Sequence, residues 1–354
     1  MFGLLKKTAA LVLALGASVV SAQNVQLQGA GATFPNPLYQ KWVTEYQKAH
    51  PTVKIDYQSI GSGGGIKGIT EKTVDFAGSD APLSADELKA LGGADNVVQI
   101  PSTAGGVVPA YNLKGINDLK FSGEILADIY LGKITKWSDA KIKALNSGVT
   151  LPDVVITPAW RTDGSGTNFV WTNYLATQSE DFKGAIGVGK SVKWPVGQGG
   201  KGNDGVAAIV QQSAGAIGYI EQSYADQNKI PYASVKNKAG KFVKASPKTV
   251  SVAGAGAVDK MTGNVIAADI WNQPGDEAYP VASFTYLIVY KDLNNVKSRE
   301  QAGTLVDFLN WAIGAGQDFS ESLDYAPLAS GVRTKDVAAL KAITYKGAAV
   351  PVAK

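Results

Sequence analysis

Cysteine is absent from the 354 residues, and histidine occurs once, at His50. Disulfide frameworks, thiol nucleophiles and zinc fingers are thereby excluded, and one imidazole cannot build a His/Cys metal cluster. Any hydrolytic triad would have to use His50. Charge is also sparse, at 18% of residues against 45% hydrophobic, a balance that excludes a disordered chain or a coiled coil. Glycine is plentiful instead: 40 Gly and 15 Pro point to many tight turns rather than long helical arrays. The length exceeds what a single small module needs, so two domains or one large barrel are expected.

Lys6 and Lys7, an apolar run over 8–20 and the small residues Val20-Ser21-Ala22 predict a secretory leader over 1–22, cleaved before Gln23. The run is too short to span a membrane as a helix. With no Cys to carry a lipid, the expected product is soluble, exported and periplasmic. The leader holds two lysines and no acid, so its removal lowers the formal net charge from +4 to +2. That is no charge for a nucleic-acid partner.

The remaining chain alternates apolar strands with helical patterns, as α/β folds with mostly parallel sheets do. Segments 25–28, 53–57, 74–77, 97–100, 154–158, 216–220 and 283–290 read as strands. A helix carries Leu38, Trp42, Tyr46 and Ala49 on one face, entered through Pro35 and Pro37 and stopped before Pro51. Further helices are expected over 125–130, 140–145, 168–176, 205–212, 302–312 and 337–343. No Pro/Ser-rich linker divides the chain, so two domains would require it to cross between them more than once.

Four segments share one design, a strand running into small residues with a hydroxyl at or near a predicted helix start. They are Gly29-Ala-Gly-Ala-Thr33-Phe34, Gly61-Ser62-Gly63-Gly64-Gly65, Gly78-Ser79-Asp80 and Arg161-Thr-Asp163-Gly-Ser165-Gly166-Thr167. Glycine lets backbone approach a ligand, and the first N–H groups of a helix are unpaired donors at its positive end. Such ends bind anions. A lone hydroxyl before a helix, Ser62 included, is ordinarily an N-cap. Several such ends, with Arg161 four residues before Ser165, describe a small oxyanion held by backbone and hydroxyl donors and one guanidinium.

Competing motifs fail on chemistry. Segments 63–68 and 197–202 satisfy G-x-G-x-x-G, but Lys67 and Lys201 are followed by Gly rather than the Ser or Thr of a nucleotide-binding P-loop. The segment 199–204 reads as a loop capped by Asn203 or Asp204 into a helix. Gly164-Ser165-Gly166 is shorter than a hydrolase elbow, and His50 is placed to interact with a helix C-terminus. Asp75, Asp80 and Asp163 lack metal-ligand spacing, so no metal is expected. Asp163 is expected to pair with Arg161 two residues away or to cap a turn. Lysines 236, 238, 241, 244 and 248 read as a solvated loop, with Phe242 alone as an interleaved aromatic. The tryptophans read as core or cleft aromatics, with Trp194 at the surface or between lobes.

The segments 29–35, 60–65, 74–83 and 161–167 together resemble the phosphate-binding proteins of the phosphate-specific ABC transporter. Further similarity lies at Asp-Ile-Tyr-Leu-Gly-Lys-Ile (128–134), Val-Lys-Trp-Pro-Val-Gly (192–197), Gly-Ala-Ile-Gly-Tyr (215–219) and Leu-Asp-Tyr-Ala-Pro-Leu (323–328). The resemblance implies an α/β type II periplasmic binding protein: two α/β lobes joined by a hinge, with the ligand in the cleft. Lobe I would hold 23–103 plus 283–354, and lobe II 104–282. By the same resemblance the phosphate contacts fall on Thr33, Phe34 through its N–H, Ser62, Asp80, Arg161, Ser165, Gly166 through its N–H, and Thr167. Asp163 would brace the arginine. The protein would be a monomer, not an enzyme, without cofactor, delivering inorganic phosphate to the permease subunits of the transporter. Trp160, Thr162 and Gly63 depart from the expected pattern, none at a ligand contact. A receptor for another tetrahedral oxyanion such as sulfate, or a secreted phosphatase, are the alternatives. Hydrogenphosphate carries a proton that a buried Asp80 carboxylate can accept, and sulfate carries none, so Asp80 is the expected selectivity element.

Overall fold

The computed structural model describes residues 24–352, so the expected leader over 1–22 lies outside the described residues. Strand β1 (Val25–Gly31) leads through a tight turn into helix α1 (Asn36–Ala49), which has proline in its first turn and buries Leu38, Tyr39, Trp42, Val43 and Tyr46. The periodic apolar face thus packs inward, as amphipathic helices do. His50 ends this helix, its Nδ1 lying 3.0 Å from the Tyr46 carbonyl, the C-terminal interaction expected for it. Strand β2 (Val53–Ser59) alternates buried and exposed residues and forms a sheet edge. Helix α2 (Ser62–Thr70) and strand β3 (Phe76–Ser79) follow. Helix α3 (Ala85–Ala90) begins with a capping box between Ser84 and Glu87.

Strand β4 (Val97–Tyr111) is buried along all fifteen residues. Beyond it come β5 (Lys120–Phe121), α4 (Gly123–Tyr130), α5 (Ala140–Leu145), β6 (Thr157–Arg161), α6 (Gly166–Gln178) and α7 (Glu180–Ala185). Next are β7 (Gln198–Gly200), α8 (Gly202–Gln212), β8 (Ala216–Glu221), α9 (Gln222–Gln227), β9 (Ser234–Lys236), β10 (Phe242–Val243) and α10 (Pro247–Gly254). The chain closes with β11 (Ala282–Tyr290), α11 (Arg299–Ile313), α12 (Ser330–Leu340) and a short hairpin of β12 (Thr344–Tyr345) and β13 (Ala348–Ala349).

One ladder connects both halves, in the order β2-β1-β3-β11-β4-β8-β6-β7. Its two wings are parallel, β2-β1-β3 and β8-β6-β7, whereas β11 and β4 at the centre run antiparallel to their neighbours. The sheet is therefore mixed rather than mostly parallel. Residues Val97–Gly106 of β4 pair with β11, and Val107–Tyr111 pair with β8, so this strand leaves one half and enters the other. The chain returns beside it, where the Val107 N–H donates to the Val281 carbonyl at 2.9 Å. The two crossings explain the missing linker.

The β4–β11 register slips between Thr285 and Tyr286, leaving Ser102 unpaired next to Pro101. Proline cannot donate to a ladder, and a bulge beside it accommodates that loss. In the second half an aromatic core gathers Tyr130, Trp171, Trp194 and Tyr219, with Trp171 stacked on Tyr219 at 5.3 Å. Trp194 belongs to this core, 5.1 Å from Tyr130 between ring centres, and not to the surface or an interface between the halves. In the lysine-rich segment Lys244 lies over Tyr232, Phe242 lies beneath Lys120 of β5, and Lys248 pairs with Glu277.

Candidate anion-binding site

The C-terminal ends of β1, β2, β3, β6 and β7 converge on one cleft, the place where open α/β sheets bind ligands. All eight expected contact residues and Asp163 follow or end these strands. Thr33, Phe34, Ser62, Asp80, Arg161, Ser165 and Thr167 are all nearly or fully buried. Contacts between the halves link them: the Gly166 N–H donates to Ser62 Oγ at 3.1 Å, and the Gly63 N–H to the Gly164 carbonyl at 2.8 Å.

Glycine is required where these loops meet. Gly61 has φ of 90°, and a Cβ there would collide with the Asp163 carboxylate and lie 2.9 Å from the Gly164 carbonyl oxygen. A Cβ at Gly63 would sit 3.1 Å from Gly164 Cα, so the departure from the expected pattern at this position suits the approach.

The turn after β1 is fixed by two phenols. Tyr224 donates to the Thr33 carbonyl at 2.5 Å and Tyr325 to the Phe34 carbonyl at 2.6 Å. Arg161 donates from Nε to Asp163 Oδ1 (2.8 Å), from Nη2 to Asp163 Oδ2 (2.5 Å) and from Nη1 to Thr167 Oγ1 (3.2 Å). Of the five N–H bonds of a guanidinium, two on the Nη edge remain for an anion. Asp163, which also accepts the Gly202 N–H at 3.0 Å, is the expected brace. Burial pushes its carboxyl up, but Arg161 and these hydrogen bonds outweigh that and hold it below the usual range.

Ser62 is limited to donating, whereas Ser165 keeps one lone pair. Ser62 Oγ receives the N–H groups of Asp80 (3.2 Å) and Gly166 (3.1 Å), which fills both of its lone pairs. Its O–H remains for Asp80 or a ligand. Ser165 Oγ accepts the Asn168 N–H at 3.0 Å and caps α6, which faces its first turn toward the cleft.

Asp80 is the exception among these donors. Its Oδ1 accepts the Thr285 hydroxyl at 2.8 Å, while Oδ2 is buried with no partner among the described residues. Burial lifts its carboxyl to about 7, against the opposing pull of Thr285, Arg161 and Ser62. The cleft therefore presents a set of donors and one carboxylate oxygen without a partner among the described residues.

Two neighbours were not expected. Thr285 stands in an apolar strand with no local sign of a site. Asn203, read as an N-cap, is instead buried inside α8, whose cap residue is Lys201. Its presence beside Gly202 in a glycine-rich loop at a strand end was the available signal.

Comparison with known proteins identifies the family. A model of the PBP superfamily domain matches residues 17–315. The phosphate-binding protein PstS of Pasteurella multocida is 43% identical over 93% of this chain and 94% of its own length. The PstS protein of Methanocaldococcus jannaschii is 39% identical over 82% of this chain and 79% of its own. Among solved structures, the phosphate-binding protein from Stenotrophomonas maltophilia matches with a TM-score of 0.69 at 23% identity, covering 88% of this chain and 93% of that one. A substrate-binding protein from Clostridium perfringens, solved with phosphate bound, gives 0.62 at 21% identity, covering 86% and 100%. These structures share the α/β fold, and the sequence relatives establish that the chain belongs to the family of PstS phosphate-binding proteins.

Proposed function

We propose that this protein binds inorganic phosphate in the cleft and hands it to the permease of an ABC transporter for import. The carrying observation is the unpartnered carboxylate oxygen Asp80 Oδ2, set among backbone N–H, guanidinium and hydroxyl donors. Hydrogenphosphate offers three acceptor oxygens and one P–OH, which matches that set. Sulfate would face Asp80 with no proton, leaving a buried charge unpaired. The proposed contacts are Thr33, the Phe34 N–H, Ser62, Asp80, Arg161, Ser165, the Gly166 N–H and Thr167, with Asp163 holding the arginine. The names of the relatives are those of solute-binding proteins and not of enzymes.

The lobes are assigned to 23–103 plus 283–354 and to 104–282. The change of β4 partner between Gly106 and Val107, and the start of β11 at Ala282, support these limits to within a few residues. Among the described residues no helix is long and apolar enough to cross a membrane. With the leader pattern over 1–22, a soluble periplasmic monomer is the reading.

The test is calorimetry on protein unfolded, freed of ligand by dialysis and refolded. Saturable binding of phosphate with little heat from sulfate is expected. A folded sample that ignores phosphate would refute the reading.

A further inference from the structure

Asn203 makes four hydrogen bonds, and together they determine which way two ligand-facing hydroxyls point. Its Oδ1 accepts the backbone N–H of Glu221 at 2.9 Å. A backbone N–H can only donate, so the side-chain amide has one admissible orientation and Nδ2 must face the cleft. From there Nδ2 donates to Thr33 Oγ1 at 2.7 Å and to Thr167 Oγ1 at 3.1 Å, one hydrogen for each.

The acceptor count at both threonines then closes. Thr33 Oγ1 also receives the Asn203 backbone N–H at 3.2 Å, and Thr167 Oγ1 also receives Arg161 Nη1 at 3.2 Å. Both lone pairs of each hydroxyl are occupied, so each O–H must donate elsewhere. Neither finds an acceptor among the described residues. Asn203 itself is fully buried, and it joins residues 170 positions apart at the β1 turn and the α8 start.

We infer that Asn203 is a positioning residue of the anion site: without touching the ligand, it fixes the hydroxyls of Thr33 and Thr167 as donors. This rests on the phosphate reading above. It also restricts where the ligand's own proton goes. With the threonine and Ser62 oxygens saturated, Asp80 Oδ2 is the charged acceptor left for a P–OH, stronger than the one free lone pair of Ser165 Oγ. Removing the amide would free two lone pairs and let each hydroxyl rotate, so that its donor must be ordered by the ligand at an entropic cost.

The test is a double-mutant cycle read by phosphate calorimetry on wild type, Asn203→Leu, Thr33→Val with Thr167→Val, and the triple variant. Leucine keeps the volume and removes the donors; should it not fold, Asn203→Ala enters the same cycle. In the wild-type background the substitution is expected to weaken phosphate binding about tenfold or more, as loss of pre-set donors at a buried anion does. In the double-valine background it should change the dissociation constant less than about twofold, because there is no hydroxyl left to orient. An equal loss in both backgrounds would show a general structural effect and overturn the inference, as would unchanged affinity in the wild-type background. A flat wild-type isotherm would overturn the phosphate reading and this inference with it, which separates the two failures.

Discussion

Thr285 donates its hydroxyl to Asp80 Oδ1 at 2.8 Å, which leaves Oδ2 as the carboxylate oxygen without a partner among the described residues. The pair joins β11 to the end of β3, and the bulge at Ser102 lies against it, with Ser102 Oγ donating to the Thr285 carbonyl at 3.2 Å. Asp80→Asn exchanges the free acceptor for an amide that can also donate, so a ligand without a proton is no longer penalised. The unpaired-charge penalty of about 1 to 3 kcal/mol corresponds to roughly 5- to 150-fold in affinity, and the phosphate-over-sulfate ratio should narrow by about that factor. Competition titrations in which the ratio does not move would refute the role given to Asp80.

The same carboxyl sets a pH dependence. Its folded value of about 7 lies above the ordinary 3.8, so between those values the folded ligand-free protein holds a proton that the unfolded chain has lost. This contribution to stability is present at acid pH and declines as pH rises toward about 7, the opposite of a salt-bridged acid. Ligand-free wild type should therefore lose melting temperature from pH 5 to pH 7.5 relative to Asp80→Asn. Phosphate selectivity runs the other way: protonated Asp80 can donate to sulfate, so discrimination should weaken as pH falls below about 7. Parallel melting curves for the two proteins over that range would exclude the assignment.

Much of the site was legible because its signals are local. Gly29 to Thr33, Ser62 and Arg161 to Thr167 each combine a strand end, glycine and hydroxyls within a few residues, and the structure brings all of them to one cleft. The helix over 140–145 likewise falls where its apolar spacing places it. Distance along the chain hid the rest. Thr285 meets Asp80 across 205 positions, and Asn203 meets Thr33 across 170. Strand β4, expected over 97–100, runs on to Tyr111 through Ser102, Thr103, Gly105 and Gly106. Small residues of that kind read as a turn, and only their burial between β11 and β8 makes them a strand.

Arg161 offers its Nε and one Nη2 bond to Asp163 and an Nη1 bond to Thr167. Lysine would supply the charge as a point without the planar fork, leaving the half-buried Asp163 and the Thr167 oxygen short of donors. Arg161→Lys should weaken phosphate binding about 10- to 150-fold, the equivalent of one charge-assisted hydrogen bond of about 1.5 to 3 kcal/mol. Near-wild-type affinity in the calorimeter would mean that the fork is not engaged.

The close approach of the two halves beside Gly166 depends on the missing side chain at that residue. A Cβ on Gly166 would lie 2.5 Å from Ser62 Oγ and press on the Asp80 carboxylate, closer than nonbonded atoms approach. Both neighbours are buried and hydrogen-bonded, so neither can move aside without breaking the Ser62 bridge to the Gly166 N–H. The remaining response is a small shift of the start of α6 away from the ends of β2 and β3, which disturbs the anion site more than the packing inside either half. Gly166→Ala should thus lower phosphate affinity by about 5- to 150-fold, the usual cost of overpacking, with a much smaller change in ligand-free melting. Gly184→Ala serves as the control, because a Cβ there meets nothing within 4 Å. If Gly166→Ala bound phosphate as tightly as the control, the close approach of Ser62, Asp80 and Gly166 could not be the bound arrangement.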